Sequence, residues 1–353
     1  MDPPPLFLAL RARLLLQLDP RRQILPFLRQ GPNLGAPSQV RFPSLGPPTR
    51  CAHFQSHGPR YSLASRDSKK LFVVGRTFRG ELVRYDSKSK QFSPFLGGIS
   101  GEFMDFSKDG HWLAYTSFPD GVLWRCKSDR TDCLQLTYAQ GYAVNPRWSP
   151  DSKTIVFFEM VEGGKPKLFT ISPDGGTPKL LLPDDPNPQW DPNWSPGGSK
   201  IVFGGAATNE ASSIRILDLA THQLTTLSGS QGLYSPRWSS NGRYITGLSS
   251  DETRFFIFDF QTQKWTQLGT GFYSWPAFSH DGDSVYVLRG GGHSAVVKFH
   301  LTDGKSEEVV DLSHFVFTGH FSDSSLALAL DDSPLLFREA GTSDAYSLDW
   351  ETP

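Results

Sequence analysis

Cysteine is scarce in this chain, with three residues in 353, and none stands in a C-x-x-C pair. A disulfide framework and a usual structural zinc site are both excluded on that ground. An excess of one charge is also missing: 35 Lys+Arg face 36 Asp+Glu, so the clustered basic surplus of a nucleic-acid binder is absent and no direct nucleic-acid contact is expected. Long apolar runs are lacking too. Arg11 and Arg13 separate Leu6-Phe7-Leu8-Ala9-Leu10 from Leu14-Leu15-Leu16. Neither half reaches the roughly 7–15 residues of a signal-peptide core or the roughly 20 of a membrane span. No signal peptide or transmembrane helix is therefore expected, and an extracytoplasmic location stays open only for a chain with a longer N-terminus.

What is abundant is proline, glycine and aromatic side chains: 27 Pro, 33 Gly, 26 Phe, 10 Tyr and 9 Trp. They are unevenly spread. Residues 1–50 hold ten Pro, seven Arg and two Asp but no Lys, Glu or Tyr, whereas Lys and Glu recur from Lys69 and Glu81 onward. Prolines at this density deprive a helix or central strand of N–H donors. The expected organisation is a disordered or loosely attached Pro/Arg-rich segment over 1–50 and one folded domain over 51–353, with an amphipathic helix at 6–18 as the competing reading of the leucines.

From residue 60 the chain repeats. Five segments align without gaps, beginning Asp105-Phe106-Ser107, Arg147-Trp148-Ser149, Asn193-Trp194-Ser195, Arg237-Trp238-Ser239 and Ala277-Phe278-Ser279, and degenerate copies lie at Ala64 and Leu328. The anchors 64, 106, 148, 194, 238, 278 and 328 are 42, 42, 46, 44, 40 and 50 residues apart. That period fits one four-stranded blade of a β-propeller. Within each copy an aromatic ends a strand, Ser, Pro, Asp and Gly supply a tight turn, and a β-branched or aromatic strand such as Thr154-Ile155-Val156-Phe157 follows. The expected fold is all-β: a single propeller of seven blades, with six as the alternative. Closure is expected from an N-terminal strand, Cys51-Ala52-His53-Phe54-Gln55, completing a last blade built from 325–330, 335–337 and 345–348.

The run Pro146-Arg147-Trp148-Ser149-Pro150-Asp151-Ser152-Lys153, followed by an apolar strand, resembles the TolB-type (WD40-like) propeller repeat. The resemblance covers about 290 residues of the chain. The stretches Gly80-Glu81-Leu82-Val83-Arg84-Tyr85-Asp86 and Phe95-Leu96-Gly97-Gly98-Ile99-Ser100 look like the propeller modules attached to bacterial winged-helix regulators and protein kinases. Such modules sense or bind while another domain acts, and residues 1–50 are too short and Pro-rich for a winged helix.

Chemistry of other kinds finds little support. The nucleophile elbow Gly-x-Ser-x-Gly is absent, and its nearest approach, Gly292-His293-Ser294-Ala295-Val296, has a β-branched residue in the last place. No dinucleotide fingerprint or phosphate loop occurs. His53 and His57, four apart in a strand-to-loop segment, do not converge as ligands would on a helix. Neither catalytic residues nor cofactor or metal ligands are assigned. Cys126 and Cys133 flank a polar turn; two free thiols is the preferred reading and a cross-strand disulfide the alternative. The residue before each anchor lies on the innermost strand, so Asp105, Arg147, Asn193 and Arg237 are the candidate ligand contacts at a channel mouth. The blander reading pairs each Arg with a carboxylate between blades. The expected function is a non-catalytic interaction or sensor module, monomeric, binding a protein or small ligand through its loops and channel mouth. The alternative is the propeller part of a larger regulator or enzyme.

Overall fold

The computed structural model describes residues 24–26, 39–41, 62–64, 70–138, 141–205, 212–319 and 325–349, and among them every regular element is a β-strand. The chain divides into two compact units, Met1–Phe78 with Gly341–Pro353, and Arg79–Ala340.

The second unit is a β-propeller of six four-stranded antiparallel sheets. Blade 1 comprises Gly101–Phe106, Trp112–Ser117, Leu123–Lys127 and Leu134–Gln135. Blade 2 comprises Tyr142–Trp148, Ile155–Met160, Lys167–Ile171 and Lys179–Leu180. Blade 3 comprises Trp190–Trp194, Lys200–Gly204, Arg215–Asp218 and Leu224–Thr226. Blade 4 comprises Leu233–Tyr234, Tyr244–Ser249, Arg254–Asp259 and Lys264–Thr270. Blade 5 comprises Tyr273–Phe278, Ser284–Arg289, Ala295–His300 and Ser306–Asp311. The first strands of blades 1, 2 and 3 approach one another in succession along the inner wall, as do those of blade 5, the sixth blade (Leu326–Leu328) and blade 1.

Burial explains the residue choice. Second strands are covered on both faces by neighbouring sheets, so Ile155-Val156-Phe157, Ile201-Val202-Phe203 and Leu335-Leu336-Phe337 are fully buried in unbroken runs rather than in alternation. The outermost strand Leu224–Thr226 is exposed throughout. Between first and second strands the anchor serine closes the turn. In blade 1, Ser107 Oγ donates to Asp109 Oδ1 (2.5 Å), and its oxygen accepts from the Trp112 N–H (2.9 Å). Asp109 Oδ1 accepts from the His111 N–H (3.0 Å), and Gly110 adopts φ 70°, which a Cβ would disfavour. Ser149–Asp151, Ser239–Asn241 and Ser279–Asp281 repeat the same bond.

Closure corrects the expected blade number from seven to six. Blade 6 takes its inner strands Leu326–Leu328 and Pro334–Glu339 from the end of the unit and its outer strands Gly80–Asp86 and Gln91–Pro94 from the beginning. Leu336 pairs with Val83 and Phe337 with Leu82. Gly80 makes this seam possible, since a Cβ there would stand 1.8 Å from the Phe337 ring. The anchor at 64 therefore heads no blade. Its strand Ser62–Ala64 joins Lys70–Thr77 and Thr342–Asp349 in a separate three-stranded sheet of the first unit. The segments 71–74 and 345–348, expected in the first and last blades, pair with each other instead, Tyr346 opposite Val73. The expected clasp 51–55 lies outside the described residues. Within 1–50, Ile24–Pro26 pairs antiparallel with Gln39–Arg41.

Cys126 and Cys133 are joined by a disulfide, against the preferred reading of two free thiols. The turn between them brings their Cα atoms to 4.0 Å. Cys126 is buried, next to the Tyr115 hydroxyl.

Candidate functional site at the inner strands

Each first strand of blades 1 to 5 has a left-handed residue three positions before its anchor: Phe103 (φ 56°), Asn145 (49°), Asp191 (53°), Ser235 (54°) and Trp275 (53°). Bulges follow, with the register shifting between Glu102 and Asp105, Val144 and Arg147, Trp190 and Asn193, and Ser274 and Ala277. A bulge re-aims the residues beside it. A period-two reading does not detect it, and these five residues were missed. A signal does exist in the sequence: Pro146, Pro192, Pro236 and Pro276 each stand two places before an anchor, immediately after the left-handed residue.

Of the four residues singled out from the sequence, Asp105, Arg147 and Asn193 lie beside these bulges and Arg237 holds the equivalent place in blade 4, and all but Asn193 share an ionic cluster. Arg147 Nη1 lies 3.7 Å from Asp105 Oδ1, linking blades 2 and 1. Arg237 Nη2 lies 3.6 Å from Asp191 Oδ1, linking blades 4 and 3. Asn193 is not part of an ion pair; its Oδ1 accepts from the Trp238 N–H at 2.8 Å, as Asp105 Oδ2 accepts from the Trp148 N–H at 2.8 Å. Two of the positions thus carry acceptors that stitch one blade to the backbone of the next. The two arginines cannot accept, and their guanidinium groups turn to carboxylates.

Burial governs the electrostatics. The Asp105 carboxyl is pushed up by desolvation, against the pull of Arg147, the Trp148 N–H and Arg237. Its side chain nevertheless remains 29% accessible. Arg237, with a side chain only 4% accessible, is pulled down to about 10 by desolvation; Asp191 opposes the shift and Arg147 adds to it. The ion pairs are longer than hydrogen bonds. Arg147 Nε, Arg237 Nε and Nη2, and Asn145 Oδ1 have no hydrogen bond within the described structure. Asn145 Nδ2 donates to Asp191, adding blade 2 to the same network. The left-handed Phe103 and Trp275 bring their rings to 5.4 Å. The inner wall is therefore polar on blades 1 to 4, while blades 5 and 6 place Ala277 and Ala327 at the equivalent positions.

Among the described residues no group of three or more His, Cys, Asp or Glu is gathered as a metal site requires. His53 and His57 lie outside them. His293 is engaged by Glu308 (3.0 Å) and by the Ser313 hydroxyl (3.2 Å), not by Ser294.

Comparison with known proteins agrees with this architecture. A solved TolB-type protein from Agrobacterium tumefaciens superposes with a TM-score of 0.60 at 19% identity, covering 74% of this chain and 99% of that one. TolB from Acinetobacter baumannii gives 0.51 at 16% identity, covering 81% of each chain. An oligogalacturonate lyase solved with manganese gives 0.52 at 15% identity, covering 78% of this chain and 87% of that one. The class is thus a TolB-like β-propeller in fold. In sequence, the chain is 31% identical over 80 residues to an uncharacterized peptidase, YuxL, of Bacillus subtilis, which is 23% of this chain and 12% of that protein. It is 27% identical over 150 residues to the uncharacterized protein Atu1656 of Agrobacterium fabrum, 39% of this chain and 50% of that protein. The chain therefore spans half or less of the curated relatives it matches. No family model matches it. The resemblance to modules of winged-helix regulators and kinases is not supported by these relatives.

Proposed function

We propose that the propeller is a non-catalytic interaction module that binds a protein or a small ligand at its channel mouth, with Asp105, Arg147, Asn193 and Arg237 as the polar contacts. One observation carries this reading: the inner wall concentrates its charge on blades 1 to 4, and Asp105 and Arg147 remain 29% and 14% accessible there. An opening that is charged on one side and apolar on the other orients a guest. Its buried donors are available at little reorganisation cost. The anchor serines have a structural role in this reading: Ser107, Ser149 and Ser279 donate their hydroxyl protons to turn carboxylates.

The second reading, a propeller belonging to a larger regulator or enzyme, is favoured by the coverage of 12% and 50% of the curated relatives, one of which is described as a peptidase. Affinity capture with the full chain, set beside Arg147→Gln, separates the two. Saturable capture that the variant loses while keeping the wild-type far-UV spectrum supports binding at the mouth. Capture that ignores Arg147, or turnover in a glycosidase, lactonase or peptidase panel, overturns it.

A further inference from the structure

The six blades are copies, so a position that departs from its five equivalents stands out. The residue six places after the anchor is Trp112 in blade 1 and Thr154, Lys200, Tyr244, Ser284 and Pro334 in the others. The third-strand residue facing the middle of the second strand is Arg125 in blade 1, opposite Ala114. Its equivalents are Thr170, Ile216, Ile257, Lys298 and Val83. An aromatic and a cation occur singly at these positions in blades 4 and 5, as Tyr244 and Lys298, and only blade 1 combines the two. Trp112 and Arg125 line a cavity of about 350 Å3 between blades 1 and 2, with Trp148, Ser152, Lys153, Pro173 and Asp174 completing the wall. That volume is at the lower end of the roughly 300–1,000 Å3 typical of small-molecule sites. None of the four channel residues lines it.

The cavity is built around a guanidinium. Arg125 is only 7% exposed and packs its Cζ 4.1 Å above the Trp112 ring. Nε donates to the Pro173 carbonyl at 3.0 Å, and Nη1 to the Asp132 carbonyl at 3.1 Å. Nη2 has no hydrogen-bond partner among the described residues, and it is not among the nitrogens sealed from solvent. The protein thus fixes the orientation of the group with two hydrogen bonds and a looser ion pair, Nη1 lying 3.7 Å from the exposed Asp132 carboxylate, and leaves the Nη2 corner open. Lys153, exposed in the turn beside it, adds an ammonium within the electrostatic reach of Asp151, with which it makes no salt bridge. Asp174 is exposed at the edge of the cavity and limits the positive field there without occupying Nη2.

We propose that this cavity binds a small aromatic carboxylate. Its flat ring would pack against Pro173 and make edge contacts with Trp112, whose face Arg125 covers, and with Trp148, and its carboxylate would accept from Arg125 Nη2 within reach of Lys153. A charge-assisted hydrogen bond to a held guanidinium is stronger than one between neutral groups, and aromatic rings favour offset or edge contacts with indole. Because Nε and Nη1 are already spent, the carboxylate receives a single guanidinium bond. The second charge, Lys153, therefore matters to affinity.

The test uses N-acetyl-L-phenylalanine, which leaves tryptophan fluorescence free as the readout. Controls are its amide, which lacks the charge, and N-acetylglycine, which lacks the ring. The full chain should bind the acid saturably and each control at least about tenfold more weakly. Lys153→Glu, on an exposed side chain, should weaken the acid by roughly tenfold without changing thermal unfolding. Arg125→Lys should do the same, and Lys153→Glu keeps the test decisive if the Arg125 variant fails to fold. Equal binding of acid and amide, unchanged affinity in Lys153→Glu, or no saturation by the acid at millimolar concentration would each refute the site. Arg147→Gln should bind the acid as wild type does, so failure of the channel proposal and failure of this one read out separately.

Discussion

At the level of single residues, Asp105 carries two duties that substitutions can pull apart. Asp105→Ala leaves the Trp148 N–H and the Arg147 guanidinium without their acceptor and should cost about 1–3 kcal/mol in denaturant unfolding. Asp105→Asn retains an acceptor for the Trp148 N–H and should cost less. The pH dependence of the two proteins should also differ in a definite direction. Burial raises the Asp105 pKa in the folded state above its value of 3.8 in the unfolded chain. The folded state therefore holds the proton more tightly. As pH falls through the folded pKa toward 3.8, wild type should gain stability relative to Asp105→Asn, and urea unfolding of both proteins across that range measures the gain. Aligning the anchors was enough to place Asp105, Arg147, Asn193 and Arg237 at equivalent positions. It did not reveal which carboxylate each arginine meets, because Asp191 reaches Arg237 only through a left-handed bulge, and backbone curvature is not written in hydrophobic alternation.

The anchor turns give the elements an acid sensitivity of the opposite sign. Asp109, Asp151 and Asp281 are lowered, first by the hydroxyls of Ser107, Ser149 and Ser279 and then by backbone N–H groups. Their contribution is present above the unfolded value of 3.8 and disappears as pH falls through their folded values. Replacing all three with Asn should flatten the acid limb of a stability–pH curve below about pH 4, which thermal melts from pH 2 to 7 would show. Cys126 and Cys133 act on a single edge. Their bond closes a loop of sequence separation 7, and removing it in Cys133→Ala should cost about 2 kcal/mol in non-reducing unfolding, with no further loss on adding reductant. The repeated turns were legible because Ser, Asp and Gly must recur at fixed offsets to make these bonds. The disulfide was not, because the spacing of two cysteines across a turn suits a bond and free thiols equally well.

Ring closure belongs to the whole molecule, and there the sequence misled for a physical reason. Strands 71–74 and 345–348 have the apolar, β-branched character of blade strands, but composition does not specify a pairing partner; register and seam packing do. Gly80 against Phe337 decides the seam, and Gly80→Ala should destabilise the protein by about 3 kcal/mol, with partial recovery in the double variant with Phe337→Leu. The same seam makes a prediction about autonomy. The Ala340 N–H donates to the Arg79 carbonyl at 2.9 Å, so the propeller begins and ends at one point, and all four strands of blade 6 lie between those residues. A fragment of residues 79–340 retains every blade and every inner-wall residue, and a closed set of sheets leaves no inner face for the remainder of the chain to cover. It should therefore fold alone, melt in one cooperative transition, and still bind N-acetyl-L-phenylalanine with wild-type affinity. A fragment of 101–340 lacks the outer strands of blade 6 and exposes the fully buried Leu335, Leu336 and Phe337, so it should aggregate or melt without cooperativity. If the longer fragment were unfolded while the full chain melted cooperatively, the seam at blade 6 would be insufficient to close the ring.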